Sequence, residues 1–223
     1  MLPFLQGTKM NYRQLDLNQW SRKKQFEFFK KYDNPFFNIC SSLDVTELYK
    51  LCQQKQLSFA TALLFASIDA ANKVKEFRYR LKGDGVVVYD SIYAGSTILN
   101  ADETFNFCYF DYDGDFSHFN ANAILQIENN KKGVVAFDGR NQDLDIIHFS
   151  TIPWISFTSF SNPRNFKTND SIPKIVFGKY YEKKGRKHVP ISVEVHHALM
   201  DGLHLGRYLE KLQNLLNYPD FIR

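Results

Sequence analysis

Two adjacent histidines and an aspartate stand together near the end of the chain, in the run PISVEVHHALMDGLHLGRYLEKL over residues 190–212. In strand geometry Ile191, Val193 and Val195 share one face, and Ser192, Glu194 and His196 share the other. Continued alternation puts His197 on the apolar face, at the end of the strand and just ahead of a glycine and a helix. Partial desolvation disfavours the imidazolium, so such a ring stays neutral near pH 7, the state a general base needs. A hydrogen-bonded core histidine is the ordinary alternative, and for a lone histidine the more frequent one. Were the segment helical, His197, Asp201 and His204 would share one side at i, i+4 and i+7 and offer ligands to a metal. The strand pattern runs into the histidines, however, and no further ligand cluster stands out, so no metal is expected. Lys82-Gly83-Asp84-Gly85 reads as a hairpin turn rather than a phosphate-cradling loop, and no G-x-S-x-G serine occurs.

The elements that must position these residues are mixed. Residues 14–32 begin extended and turn into a short amphipathic helix, followed by a turn at Asp33-Asn34-Pro35. Phe36–Leu43 fits a strand, and Asp44 with Glu47 marks the start of a helix reaching about Gln54. A second helix spans Leu57–Val74, its alanines (60, 62, 66, 70 and 71) fitted to close packing. Short strands are expected at Arg78–Leu81, Val86–Tyr89, Ser96–Leu99 and, rich in aromatics, Glu103–Tyr112. A helix over His118–Asn130 precedes strands at Ile146–Ser150, Trp154–Phe160, Lys174–Tyr181 and Val189–His196, and Gly202–Leu216 is an amphipathic helix. Strands and helices do not alternate strictly. The pattern favours a single α/β domain over residues 1–223, with a mixed, largely antiparallel sheet packed with helices.

Composition narrows the class. The 223 residues are 44 % hydrophobic and 23 % charged, a globular mix. A net charge of +4 with interspersed signs lacks the dense basic stripe of a nucleic-acid binder. Cys40, Cys52 and Cys108 share no metal-ligand spacing and read as reduced thiols of a cytoplasmic protein. No run of 18 apolar residues occurs, so no membrane partner is expected. Aromatics reach 16 % and demand a core, a pocket or an interface to hold them.

HHALMDG at 196–202 fits the HHxxxDG signature of coenzyme A-dependent acyltransferases. Together with NQWSRKKQFEFF at 18–29 and STIPWISFTSF at 150–160, it makes the whole chain resemble the chloramphenicol acetyltransferases. The resemblance implies the coenzyme A-dependent acyltransferase fold and an acetyl-CoA co-substrate, with no metal or prosthetic group. It implies that His197 takes the proton of an acceptor hydroxyl, which attacks the thioester directly in a ternary complex. Ser150 matches the serine that hydrogen-bonds the tetrahedral oxyanion. Asp201 matches an aspartate that pairs with an arginine, here Arg22, and holds the site together; Asp201 also stands where it caps the following helix. The histidine's Nδ1 is implied to bond its own backbone carbonyl.

The resemblance also implies a homotrimer with its sites between subunits. Phe37, Phe105 and Phe137 match the acceptor pocket, and Tyr180 matches a tyrosine near the coenzyme A channel. Four positions depart from the family pattern. Phe29 replaces a tyrosine, Pro35 a small residue, His148 an asparagine and Val176 a threonine. A pocket that keeps its base but loses polar acceptor contacts still does chemistry while changing its preferred acceptor. Three functions follow: acetyl transfer to chloramphenicol or a similar hydroxylated molecule, transfer to a different acceptor, or ligand binding without catalysis. Trp20, Trp154, Phe157 and Phe160 are expected in core or sheet packing.

Overall fold

The computed structural model describes residues 12–133, 144–165 and 170–222. Along the chain run β1 (Tyr12–Gln14), α1 (Lys23–Phe29), β2 (Phe36–Asp44), α2 (Thr46–Gln54) and α3 (Phe59–Asn72). A 3-10 turn at Lys75–Arg78 leads to β3 (Tyr79–Lys82), β4 (Gly85–Tyr89), β5 (Tyr93–Leu99) and β6 (Phe105–Phe110). Then come α4 (Phe116–Lys131), β7 (Ile146–Ile152), β8 (Lys174–Gly178), β9 (Tyr181–Lys183), β10 (Arg186–His196) and α5 (Gly202–Asn217). The main sheet has the order β2-β10-β8-β7-β5-β6, with β9 also paired to β10. Among the described residues only the β5/β7 and β7/β8 pairings are parallel. The expected mixed, largely antiparallel sheet is therefore the one formed. A smaller antiparallel sheet, β1-β4-β3, stands apart from it.

One face of the main sheet is the core. Val189, Ile191, Val193 and Val195 of β10 join Ile147 and Phe149, Ile175 and Phe177, and Cys108 and Phe110 in one apolar cluster with α2, α3, α4 and α5. The small side chains expected on α3 do allow close approach, since Ala62, Ala66, Ala70 and Ala71 are fully buried, whereas Ala60 is exposed in the first turn. Tyr208 of α5 reaches Ser67 of α3 through a buried hydroxyl pair at 2.6 Å. A second cluster joins Phe26 of α1, Tyr79, Val86 and Val88 of the small sheet, and Ala198 and Leu199 of the turn after β10. The end of β10 is thus clamped between two cores.

Four local expectations fail. Residues 154–160 form no strand; they overlie the second face of the sheet, where Ile155 O accepts from Lys179 N at 2.8 Å and Phe160 O accepts from Asn38 Nδ2 at 2.6 Å. That crossing also ends β8 at Gly178 instead of Tyr181. A Cβ there would lie 2.9 Å from Ile155 O and 2.6 Å from the Pro190 ring, so only glycine fits. The N-cap position of α2 is Val45, one residue later than expected; Asp44 stays in β2, its carboxylate accepting from Thr46 N at 2.9 Å and from the Arg186 guanidinium. Trp154 is not in the core: it is 63 % exposed.

Candidate active site

β10 ends at His196, and the chain leaves the sheet through a tight turn. The ladder to β2 continues one step past the strand, His197 N donating to Pro35 O at 2.8 Å. Leu199 N and Met200 N both bond His196 O, closing the turn that leads to Asp201. Asp201 caps α5, accepting from Leu203 N at 3.2 Å, while its own N–H donates to His204 Nδ1 at 3.0 Å. His204 is therefore committed to a helix cap. Among the described residues, no group of three or more His, Cys, Asp or Glu side chains is arranged to hold a metal.

The His197 imidazole lies flat on the Phe29 ring, with centroids 3.8 Å apart and planes 9° apart, and the Phe37 ring meets it tilted by 47° at 4.6 Å. Its Nδ1 is buried without a hydrogen-bond partner among the described residues. The expected bond to its own carbonyl is absent; that carbonyl accepts from Arg22 Nη2 at 3.2 Å. Aromatic stacking orients this ring instead. Arg22 also bonds the Asp201 carboxylate. Burial works against ionisation of Asp201, yet Arg22 and the neighbouring His204 outweigh it and hold the carboxyl below its usual range. The pairing of Arg22 with Asp201 expected from the sequence thus exists, and it grips the backbone of His197.

The second face of the sheet carries the other candidates. Ser150 on β7 lies beside Val176 on β8, which lies beside Ser192 on β10. Ser150 Oγ pairs with Thr97 Oγ1 of β5 at 3.2 Å. One row away, His148 pairs with Lys174, and Lys174 with Glu194. Burial, reinforced by Lys174, Arg164 and Arg80 against the opposing pull of Asp170, pushes His148 down to about 4. Burial, with Arg164 adding to it, does the same to His196. Phe105, on the outer strand β6, is 45 % exposed. Tyr180 is exposed at the far end of the sheet, 5.4 Å from Tyr49, with Lys187 Nζ 4.8 Å from its ring. Phe137 lies outside the described residues.

The chain brings the candidates together in two groups rather than one. His197, Phe29, Phe37, Pro35, Arg22 and Asp201 form the first; Ser150, Val176, His148 and Phe105 belong to the second. Five residues of β10 at ~3.3 Å each and two strand spacings of ~4.8 Å put His197 on the order of 20 Å from Ser150 within one chain. Within one chain Phe29 and Phe37 stand with His197 while Phe105 stands on the other face, a division compatible with the expected site between subunits. Sequence reasoning also missed a charged cluster on the second face. Arg164 Nε donates to Glu194 Oε1 at 2.5 Å, and Nη1 donates to Asp170 Oδ2 at 2.7 Å and to Ile172 O at 3.0 Å. The only signal was Glu194, placed by alternation beside His196 on the polar face of an otherwise apolar strand.

Comparison with known proteins gives these two groups a context. Residues 10–213 match the profile of the family described as chloramphenicol acetyltransferase. The chain is 31 % identical to chloramphenicol acetyltransferase 3 of Escherichia coli over 93 % of its length and 98 % of that protein. It is 30 % identical to a chloramphenicol acetyltransferase of Clostridium butyricum, over 92 % and 95 %. A solved chloramphenicol acetyltransferase structure superposes with a TM-score of 0.84 at 30 % identity, over 92 % of this chain and 99 % of that one. A dihydrolipoamide acetyltransferase of Azotobacter vinelandii shares the fold at a TM-score of 0.69 and 16 % identity.

Proposed function

The chain belongs to the chloramphenicol acetyltransferase family, and on that premise we propose that it transfers the acetyl group of acetyl-CoA to a hydroxyl of chloramphenicol or a similar small molecule. The observation that carries this is the state of His197: stacked on Phe29 at 3.8 Å and clamped through its backbone by Arg22 and Pro35. A base so held needs no reorganisation to meet a substrate proton. Its Nε2 takes the proton of the acceptor hydroxyl as the oxygen attacks the thioester carbonyl carbon. The tetrahedral oxyanion accepts a hydrogen bond from Ser150, a donor worth most when charge appears. Collapse breaks the C–S bond, and the departing thiolate takes the proton from the imidazolium. Asp201 is not a relay in this scheme; it is engaged by Arg22 and by the cap of α5.

His197 and Ser150 cannot meet within one chain at the separation found. The proposed active unit is a homotrimer, with His197 of one copy facing Ser150 and the exposed aromatic strands of the next. Heterologous contacts around a closed ring produce such shared sites. The exposed Tyr180, beside Tyr49 and Lys187, would face coenzyme A. Phe29, His148 and Val176 support a second reading, a different acceptor, since none supplies a hydroxyl to a polyhydroxyl ligand.

Thiol release from acetyl-CoA across a panel of hydroxylated acceptors, chloramphenicol first, tests both. Turnover with chloramphenicol at a kcat/KM of roughly 10⁴–10⁸ M⁻¹s⁻¹ supports the first reading. Turnover only with other acceptors supports the second. Full activity in His197→Ala would refute the base.

A further inference from the structure

We propose that Arg164 is a positioning residue for acetyl transfer: its guanidinium ties the segment overlying the second face of the sheet to the strand end that carries His197. The inference rests on the function proposed above and adds a residue to it. Residues 153–165 leave β7 just after Ser150, cross β8 where Ile155 O meets Lys179 N, and reach β2 where Phe160 O meets Asn38. They return over β8, where Pro163 O accepts from Lys174 Nζ at 2.5 Å. Arg164 is the anchor of this crossing. Its side chain is 3 % exposed and bonds Glu194 of β10, two residues before His196. It also bonds Asp170 and Ile172 O at the entry to β8.

From there the link to the base is continuous. The guanidinium lies 3.8 Å from the centre of the Phe36 ring. Phe36 pairs with His196 across the ladder, and the two rings meet edge to face at 5.1 Å. His196 Nδ1 accepts from Ala198 N at 3.2 Å, spanning His197. A neutral His196 is required for that bond, since an imidazolium has no lone pair to offer. Burial and the nearby Arg164 charge keep it so. The guanidinium therefore fixes three things at once: the wall over the sheet, the strand end and the turn that holds the base.

Stability alone is a poor account of this arrangement. Buried charge clusters are often matched or bettered by apolar residues of similar size. Here Arg164 Nη2 is in addition buried without a partner among the described residues, which costs free energy. What a planar fork with two acids and a ring provides is geometry.

The test pairs Arg164→Met with Glu194→Gln, so that no carboxylate of β10 is left buried and unpaired, beside Arg164→Lys, which keeps charge but loses the fork. With whichever acceptor the wild type turns over, the double variant should lose at least tenfold in kcat/KM for the acceptor. Its KM for acetyl-CoA should stay within twofold, because the side chain's own partners, Glu194, Asp170, Ile172 and Phe36, do not include Tyr180. Arg164→Lys should fall between, and it stands in if the double variant does not fold. Unchanged acceptor kinetics overturn the proposal. So does a parallel collapse of both KM values and the melting temperature, which a purely structural residue would give. Amide hydrogen exchange reads the same link without turnover: protection at Ile172, whose N–H bonds the Asp170 that pairs with Arg164, and at 197–199 should fall together while α3 keeps its own. Protection unchanged at 197–199 overturns it. A wild type that acetylates no acceptor defeats the proposed function instead, and exchange still decides the role of Arg164.

Discussion

Asp201→Asn is the sharpest probe of how the catalytic turn is held. The Arg22 side chain is 13 % exposed and that of Asp201 34 %. Breaking a fully buried pair by removing one partner costs ~3–5 kcal/mol. Water reaches a third of Asp201, and that access screens the charge left on Arg22, bringing the expected loss to about 2 kcal/mol. For a domain of this size each kcal/mol moves the melting temperature by about 2–4 °C, so a drop of about 4–8 °C is expected at neutral pH. Asparagine still caps α5, whereas Asp201→Ala loses the cap as well and should cost about 1 kcal/mol more. The carboxyl is held below its unfolded value of 3.8, so its contribution is present above that value and is lost as pH falls through the lower folded one. The gap between wild type and Asp201→Asn should accordingly close in acid. Because Arg22 also holds His197 O, kcat should fall by about 10–100-fold at 25 °C, where the variant is folded. Scanning calorimetry at fixed protein concentration, with thiol-release kinetics, measures all of this. A melting temperature within one degree of wild type, or identical losses in the Asn and Ala variants, would refute the reasoning.

Two further outcomes follow from the same geometry. Ser150→Ala should reduce kcat by about 10²–10³ with little change in KM, because the hydroxyl acts on charge absent from the ground state; steady-state kinetics check it. His196 and His148 sit near 4 when folded against 6.5 when free, so the unfolded chain binds more protons between those values. Stability should be complete above about pH 6.5 and decline as pH falls toward 4, and His196→Gln should flatten that decline in melting curves taken across the range.

Much of the molecule was legible in the residues. The alternation of Ile191, Val193 and Val195 against Ser192, Glu194 and His196 defined β10 and both of its faces, because a period of two survives wherever one face is buried. The alanines of α3 and the apolar stripe of α5 announced their packing in the same way. Residues 154–160 misled because aromatic and β-branched side chains fit equally well on a segment lying across a sheet as on a strand within it. Nothing local distinguishes the two; the difference lies in Asn38 and Lys179, which claim the segment's carbonyls from elsewhere in the chain. Arg164 was invisible for a related reason. A buried arginine looks like any surface arginine until its acids, Glu194 and Asp170, are brought to it by the fold.

The separation of His197 from Ser150 leads to a test that needs no knowledge of the acceptor's pose. If one copy supplies the base and the next the serine, His197→Ala and Ser150→Ala chains carry complementary defects. Each parent alone has only damaged sites. In trimers assembled at random from equal amounts of both, a site is intact when its base comes from a Ser150→Ala chain and its serine from a His197→Ala chain. Two independent choices of one half each give about a quarter of all sites intact in the unfractionated pool; every mixed trimer has one intact site of its three, and hence about a third of wild-type turnover. Co-expression with two different affinity tags isolates the mixed trimers, and thiol release measures them. A site completed within one chain predicts instead that mixing restores nothing, since every chain then carries its own lesion. Turnover no higher than the mean of the two parents would therefore overturn the shared site. It would also require a rearrangement bringing β10 and β7 together across β8, against the continuous pairing of these three strands.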